Sequence, residues 1–429
     1  MCQIDYRYLR PKKAQALRDW YAEDFPCQAP RVWQGGQAVI LPLREDPQYQ
    51  FGRGGVVDSQ GNYVPLSAIP LRVEGGYPFE DPEYRDEKVV FCGYLIHHWG
   101  HFLVEAVARL WYFLEHDDTV DKYVFFLKEG EERQIRGNYR EFLTLLGIWD
   151  KLEFISRPTR YRQVLVPELA FRCRTGYSPK YLAVFNAIGD HVVPDPAWKP
   201  LDKLYFSRSQ LQKGRGFEFG LEVLDDFFGR NGYTILYPEK VPLGQMIYYI
   251  RNAQVVATLS GSLPHNMLFA RPGQRLEILE RCVPNNDFQV GINRMKDLRV
   301  TYIDANLPIY PVDMCGPFIM GCADCLERFA QDRGYALPQE AYRTEGYLRR
   351  CFIRYMKSYQ DLYRYQWYMQ DWYQELTPCL WEAYQAGHAV FGPYLDGSKP
   401  FLWHHYFTFH YWKQGLKALL RKLGFYHNP

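Results

Sequence analysis

Hydrophobic and polar positions alternate along the middle of the chain in the manner of an α/β protein. Short apolar runs of strand length recur, and between them apolar residues return at the three-to-four-residue spacing of helices. The pattern predicts strands at 88–93, 120–127, 152–155, 164–167, 203–207, 233–236, 254–259, 276–280 and 300–304. It predicts helices at 99–115, 139–146, 221–230, 243–252 and from 264 onward. Strands and helices that alternate at this pitch favour an α/β layer with a mostly parallel sheet.

A proline-rich stretch at 193–200 divides this alternation into two halves. Proline cannot donate to a strand ladder and disfavours helix at the residue before it, so the stretch is interpreted as a linker. The first 85 residues are rich in Gly, Pro and short β-branched runs, which predict an irregular β-containing lead-in. We predict an α/β domain at 1–198, a Rossmann-like domain at 199–316, and a helical, aromatic-rich region at 317–429. A ligand cleft is expected between the two α/β halves.

Composition excludes few classes of function. The 429 residues carry 51 Lys+Arg against 49 Asp+Glu, and this balance removes the simple electrostatic case for a nucleic-acid binder. The aromatic share of 17% fits contacts with sugars or with a lipid interface, and it equally fits an aromatic-rich core. No apolar leader, no spanning-length apolar segment and no framework spacing among ten cysteines is found in the sequence, so a cytoplasmic protein is expected.

One candidate anion-binding loop lies at 259–266, between a predicted strand and a predicted helix. Gly261 permits close approach of a ligand to the backbone, and Ser262 precedes a helix start whose N–H groups would be unpaired. His265 and Asn266 could add donors to a diphosphate. A tight turn with a Ser cap is the structural alternative.

A second candidate is the basic segment that follows the predicted strand at 203–207. Arg208, Lys213 and Arg215 could neutralise phosphates at the carboxyl end of this strand, where α/β sheets bind ligands. A solvated basic loop is the alternative. If both segments lie on one edge of one sheet, phosphate binding is favoured more strongly over the solvated-loop alternative.

The third candidate is a histidine-rich segment. His97, His101 and Glu105 would share one face if a helix started this early, and three such ligands could hold zinc. An acid–base or substrate-orienting role for a histidine is the alternative to the metal site. A core histidine satisfied by a neighbour is the third interpretation. The Cys-x-x-Cys at 322–325 and the acidic cluster at 115–118 are interpreted as helix-end features.

The end of the chain carries a basic amphipathic pattern. Lys413, Lys417, Arg421 and Lys422 interleave with leucines at helical spacing, after an aromatic run from Trp403. Such a helix can lie on an anionic membrane surface, or dock on the protein with its lysines outward. Both interpretations stay open.

Taken in order, these segments resemble glycosyltransferase family 61 in its bacterial capsular-polysaccharide branch, over about residues 88–310. Three matches carry the resemblance. The first is 101–105 with 109–111, and the second is Ser207 and Arg208 followed by Lys213, Arg215 and Glu218. The third is Pro238, Glu239 and Gln245 followed by 261–266 and 268–269. The sequence departs from the family where the usual Asn-Glu pair reads Phe217-Glu218, and where the glycine loop carries Pro264.

The resemblance implies a GT-B-like fold: two Rossmann-type domains around an interdomain cleft, with a helical C-terminal extension. It implies transfer of a sugar, with inversion, from a nucleotide-sugar donor to a hydroxyl of a growing, lipid-linked surface polysaccharide. Domain 1–198 would face the acceptor and domain 199–316 would hold the donor. The catalytic residues would be His101 as the general base, Glu105 and His98. The donor-binding residues would be Arg208, Lys213, Arg215, Glu239, Gly261, Ser262, His265 and Asn266.

Because helix N–H groups and Arg/Lys would neutralise the departing diphosphate, no metal ligands are assigned and no divalent cofactor is expected. The partners would be the donor and a lipid-linked or oligosaccharide acceptor. Residues 403–425 could also contact the inner face of the cell membrane, and nucleic acid is not expected as a partner.

Two other functions compete. One is a nucleotide-activated alditol-phosphate transferase, and the other is a non-catalytic glycan-binding subunit of a capsule assembly system.

Overall fold

The computed structural model describes residues 2–211, 218–281, 287–307, 316–321, 324–362, 386–387 and 389–391. Its strands are β1 Gln3–Tyr8, β2 Val32–Gly36, β3 Val39–Arg44, β4 Arg53–Val57, β5 Glu83–Tyr94, β6 Lys122–Phe126, β7 Leu152–Ile155, β8 Thr159–Pro167, β9 Phe171–Arg172, β10 Gly176–Tyr177, β11 Lys203–Phe206, β12 Glu218–Phe219, β13 Thr234–Leu236, β14 Val255–Leu259, β15 Arg275–Glu280, β16 Arg299–Asp304 and β17 Phe318–Ile319. Its α-helices are α1 Pro11–Ala22, α2 Trp99–His101, α3 Trp111–His116, α4 Gly137–Leu146, α5 Pro179–His191, α6 Leu221–Arg230, α7 Leu243–Asn252, α8 Asp287–Met295, α9 Asp324–Arg333 and α10 Glu345–Leu362. The predicted α/β class is confirmed.

The first sheet is mixed. Its order is β4-β3-β8-β5-β6-β7, with β2 also beside β8. The strands β8, β5, β6 and β7 run parallel, whereas β2, β3 and β4 of the lead-in pair antiparallel. The lead-in is therefore part of the first sheet rather than a separate layer.

The second sheet is parallel throughout, in the order β1-β16-β15-β14-β11-β13. All five residues of β14 are buried, as are five of the six in β15, which explains their near-continuous apolar runs. The edge strand β1 comes from the very start of the chain, so residues 3–8 belong to this sheet and not to the first.

Three helices join the cores of the two sheets into one apolar cluster. The inner faces of α4, α5 and α7 pack with both sheets in that cluster. Glu141 of α4 also accepts hydrogen bonds from the backbone N–H groups of Leu243 (3.0 Å) and Gly244 (2.8 Å) at the start of α7. A carboxylate at a helix N-terminus satisfies unpaired donors and the helix dipole. The two halves are therefore held by apolar packing and by this polar cap.

Two predicted helices are wrong in detail, and both lie at the candidate site. The continuous helix expected at 99–115 is instead the short α2, a π-helix at Phe102–Ala106, a turn, and then α3. His97 precedes α2 and stacks on Tyr139, so it does not share a helical face with His101 and Glu105. The helix expected from 264 is a seven-residue 3-10 helix at Leu263–Phe269.

Among the residues that the structure describes, no helix is long and apolar enough to cross a membrane. The basic amphipathic segment at 403–425 lies outside those residues, as does most of the predicted helical region after 362.

Candidate active site

The imidazole of His101 and the carboxylate of Glu105 form a hydrogen-bonded pair, with 2.7 Å between Nδ1 and Oε2. The pair spans the start of the π-helix, with His101 directly before it and Glu105 within it. The backbone N–H of Val107 donates to the carbonyl of Phe102, five residues earlier, at 3.2 Å. Single-turn π segments occur frequently at functional sites. Because a carboxylate only accepts, Nδ1 carries the proton, and Nε2 of the neutral ring is left as an acceptor for a substrate proton.

The His101 ring is partly open and surrounded by aromatic side chains. Its side chain is 27% exposed, while that of Glu105 is 9% exposed. Phe51 and Phe288 meet the ring edge-on, with centroids 6.4 and 6.3 Å away, and the ring of His98 lies 4.9 Å away. The imidazole is therefore reachable from solvent and has apolar walls.

A second cluster lies at the carboxyl edge of the parallel sheet. The chain runs from β11 outward to β13 and then returns past β11 to β14, so the strand order reverses between β11 and β14. Ligands of α/β sheets bind outside the carboxyl ends of the strands at such a reversal. Arg208 follows β11 and Gly261 follows β14, which confirms that the two loops lie on one edge of one sheet.

Two arginines share one carboxylate at this edge. Arg208 donates through Nε to Glu218 Oε2 at 3.0 Å, and Arg281 forms an ion pair with Glu218 Oε1. Gly261 has a φ of +119°, and a methyl group added there would lie 2.6 Å from Arg281 Nη2. The positive φ favours glycine at this position, and a larger residue would also displace the Arg281 guanidinium. The arrangement concentrates positive charge beside an accessible stretch of backbone.

Arg281 was missed by the sequence analysis, although a signal was present. It is the first residue after β15, just as Arg208 comes shortly after β11, and β15 neighbours β14 in the sheet. Arg72 was missed too: it forms an ion pair with Glu105 Oε1 from a turn far back in the lead-in. No local pattern marks Arg72.

The histidine segment and the glycine loop are in direct contact. Trp99 donates through its indole N–H to Asn266 Oδ1 at 3.0 Å. A methyl group added at Gly100 would lie 2.6 Å from Ser262 Oγ and 3.3 Å from the His265 ring, so the side chains of the glycine loop pack directly against the Gly100 backbone. Segments from the two halves, more than 150 positions apart, thus form one site.

His265 and Asn266 have partners inside the protein. The His265 ring is buried, and its Nδ1 lies 2.9 Å from Gln289 Oε1. Asn266 also donates to the carbonyl of Leu263 at 2.8 Å, and the His265 backbone N–H donates to Ser262. These contacts fix the conformation of the loop and join it to α8. Contact of either side chain with a donor diphosphate stays a prediction.

Of the other three predicted donor-binding residues, the structure describes Glu239 alone. Lys213 and Arg215 lie outside the described residues. Glu239 is exposed in a 3-10 helix at Pro238–Lys240, directly after β13 and therefore at the same edge of the sheet. In the part of the chain that the structure describes, no group of three His, Cys, Asp or Glu side chains could hold a metal ion.

Burial lowers the pKa of His265 from its ordinary value of 6.5 to about 4. Between these values the unfolded chain binds a proton that the folded protein does not. Above pH 6.5 we expect His265 to cost the free energy of unfolding nothing, because the ring is neutral in both states. As the pH drops from 6.5 through 4, His265 should lower the free energy of unfolding by up to about 3 kcal/mol. Chemical denaturation at pH 7 and pH 4.5 would measure it.

The matched comparison is the His265→Gln variant, which cannot titrate. Burial raises the pKa of Glu280 to about 7, and that group changes stability in the opposite direction over part of the same window. The informative quantity is therefore the difference between wild type and variant at each pH. An equal pH dependence in the two proteins would contradict the assignment to His265.

Residues 99–276, from the start of α2 into β15, match the family model described as Glycosyltransferase 61. No curated protein matches the chain significantly. The matched segment carries the His101–Glu105 pair, Arg208 and the Gly261 loop, which are the residues on which the sequence resemblance was based. The match supports glycosyltransferase family 61 for this segment, and with it a transferase that acts on a donor and an acceptor.

Proposed function

We propose that the protein is an inverting glycosyltransferase that uses a nucleotide sugar and has a GT-B-like arrangement of its two sheets. One observation carries the proposal: the close approach of Gly100 to Ser262 and His265 sets a His–carboxylate pair beside an arginine-rich sheet edge. Inverting transfer needs these two parts, a base for the attacking hydroxyl and positive charge for the leaving group.

In the proposed reaction, Nε2 of His101 takes the proton of the acceptor hydroxyl as that oxygen attacks the anomeric carbon. The bond from this carbon to the donor diphosphate breaks, and the diphosphate leaves with the electron pair. Arg208 and Arg281 would stabilise the charge on the leaving group, together with the backbone of the Gly261 loop. Glu105 would stabilise the imidazolium that forms. His98, beside His101, is the second candidate to contact the acceptor.

The acceptor is proposed to be a lipid-linked surface polysaccharide, with the first sheet on the acceptor side and the second on the donor side. The basic, aromatic segment at 403–425 supports contact with the inner face of the cell membrane. Since arginines already supply charge for the leaving group, we propose that a divalent metal is not essential.

A thermal-shift panel with UDP, GDP, CDP, CMP and ADP, with and without chelator, tests the donor class. We expect one nucleotide to raise the melting temperature specifically, equally with chelator present, and a nucleotide-sugar of that base to support transfer. Transfer lost on chelation and restored by manganese would contradict metal independence. No stabilisation by any nucleotide would favour the glycan-binding alternative, and a phosphodiester product would favour the alditol-phosphate alternative.

A further inference from the structure

We infer that Arg72, which lies outside the segment matched by the family model, is a positioning residue that completes the His101–Glu105 pair. The inference rests on the proposed function for its catalytic meaning. Its structural content, the control of His101 through Glu105, can be measured separately.

The two oxygens of Glu105 are divided between two partners. Oε2 accepts from His101, and Oε1 forms an ion pair with Arg72. The side chains of Arg72 and Glu105 are 18% and 9% exposed, so solvent screens this ion pair only weakly. Arg72 also donates to Gln50 Oε1, and its guanidinium carbon lies 5.8 Å from the centre of the Phe288 ring. These contacts hold the Glu105 carboxylate in one orientation.

The turn that carries Arg72 is itself fixed. Ile69 and Val73 exchange backbone hydrogen bonds of 2.9 Å across the turn, and Leu71 adopts a φ of +63°. The Arg72 carbonyl accepts from the backbone N–H groups of Phe51 and Gly52 at 2.9 and 3.3 Å. The lead-in therefore presents Arg72 on a defined backbone rather than on an open loop.

A buried arginine anchors the start of this turn to the matched segment. The Arg109 guanidinium is fully buried and donates to the carbonyls of Leu66 (2.9 Å), Ala68 (2.9 Å) and Pro167 (3.0 Å). Arg109 lies four residues after Glu105. The same short segment thus carries the His–carboxylate pair and holds the turn that supplies the second partner of the carboxylate.

The positive charge of Arg72 acts on the His101–Glu105 pair in one definite direction. This charge offsets part of the negative charge of Glu105, so removal of Arg72 leaves that carboxylate able to stabilise an imidazolium more strongly. The other groups facing this site are His98 at 4.9 Å, His265, which burial keeps neutral, and the Cys173–Asp287 pair near Glu105. Burial raises the pKa of Cys173, so that thiol adds no charge.

The test compares Arg72→Met, Arg72→Lys and the control Arg53→Met in the full chain. Arg53 lies in the same lead-in and donates to Asp46 at 2.7 Å rather than to Glu105. For Arg72→Met we expect kcat to fall roughly ten- to hundredfold, with an unchanged nucleotide thermal shift. We expect the acidic limb of its pH–rate profile to move upward, because a positive charge near the imidazole is removed. Arg72→Lys should recover part of both, and Arg53→Met should resemble wild type.

A second readout does not need activity. Imidazole nuclear magnetic resonance of His101 should show the same upward movement of its titration in Arg72→Met and not in Arg53→Met. An unmoved titration would overturn the inference, even if the variant were slow. If wild type transfers no sugar while the titration moves as expected, the proposed function fails and the positioning of His101 by Arg72 stands. If the methionine variant does not fold, Arg72→Gln, which also removes the charge, takes its place in both measurements.

Discussion

Replacing His101 by alanine is expected to lower the rate of sugar transfer roughly a hundredfold to ten-thousandfold while nucleotide binding persists. The reason is that the variant removes the only atom proposed to take the acceptor proton, Nε2, and leaves the arginine-rich sheet edge intact. Steady-state transfer assays give the rate, and the nucleotide thermal shift reports on the donor site. Because the His101 side chain is partly exposed, its loss should cost little stability.

His97→Ala is the matched control, since His97 lies four residues earlier, is exposed, and stacks on Tyr139 away from Glu105. Its transfer rate should stay close to wild type. If His101→Ala keeps its activity, the base is another residue, and His98→Ala and Glu105→Gln would identify it. If both histidine variants lose activity together with nucleotide binding, the segment supports the fold of the site rather than the chemistry.

Replacing Arg208 by alanine is expected to weaken nucleotide binding by about 1.5–3 kcal/mol, the usual worth of a hydrogen bond to a charged group. This loss corresponds to roughly ten- to hundredfold in Kd. The Glu218 carboxylate keeps Arg281 as a partner in the variant, so the fold should tolerate the change. Isothermal calorimetry with the nucleotide selected by the thermal-shift panel measures the loss directly.

Arg251→Ala serves as the control for this experiment. Arg251 is also a partly buried arginine of the second half, paired with Asp190 at 2.7 Å, but it lies at the end of α7 and not at the carboxyl edge of the sheet. We expect its nucleotide affinity to match wild type. An Arg208→Ala protein that binds nucleotide as tightly as Arg251→Ala would contradict the placement of the diphosphate beside Arg208.

The candidate site contains both features that the apolar period predicted and one that it did not. The period of apolar positions predicted the strand before Arg208, the strand before Gly261 and the adjacency of both loops, because a parallel α/β sheet brings successive strand ends to one edge. The helical interpretation of 99–115 was wrong where the π-helix lies. Apolar residues are buried on nearly every side there, so the spacing could not reveal the extra residue in the turn.

The His101–Glu105 pair was predictable because i, i+4 side chains meet on any helical turn, and a single π turn still brings these two together. The role of Asn266 was not predictable. Its amide binds Trp99, a residue from the other half, and nothing near residue 266 in the sequence indicates that partner.

What the sequence by itself determined is therefore local: which segments are strands, where the loops at their ends carry charge or glycine, and which neighbouring residues can pair. Such features depend on burial against one face and on short-range sterics, and both leave a period in the chain. The tertiary structure alone decided that β1 joins the second sheet, that Arg281 shares Glu218 with Arg208, and that Arg72 reaches Glu105. These contacts join residues from 10 to almost 300 positions apart. Their energy exists only once the segments between them have folded.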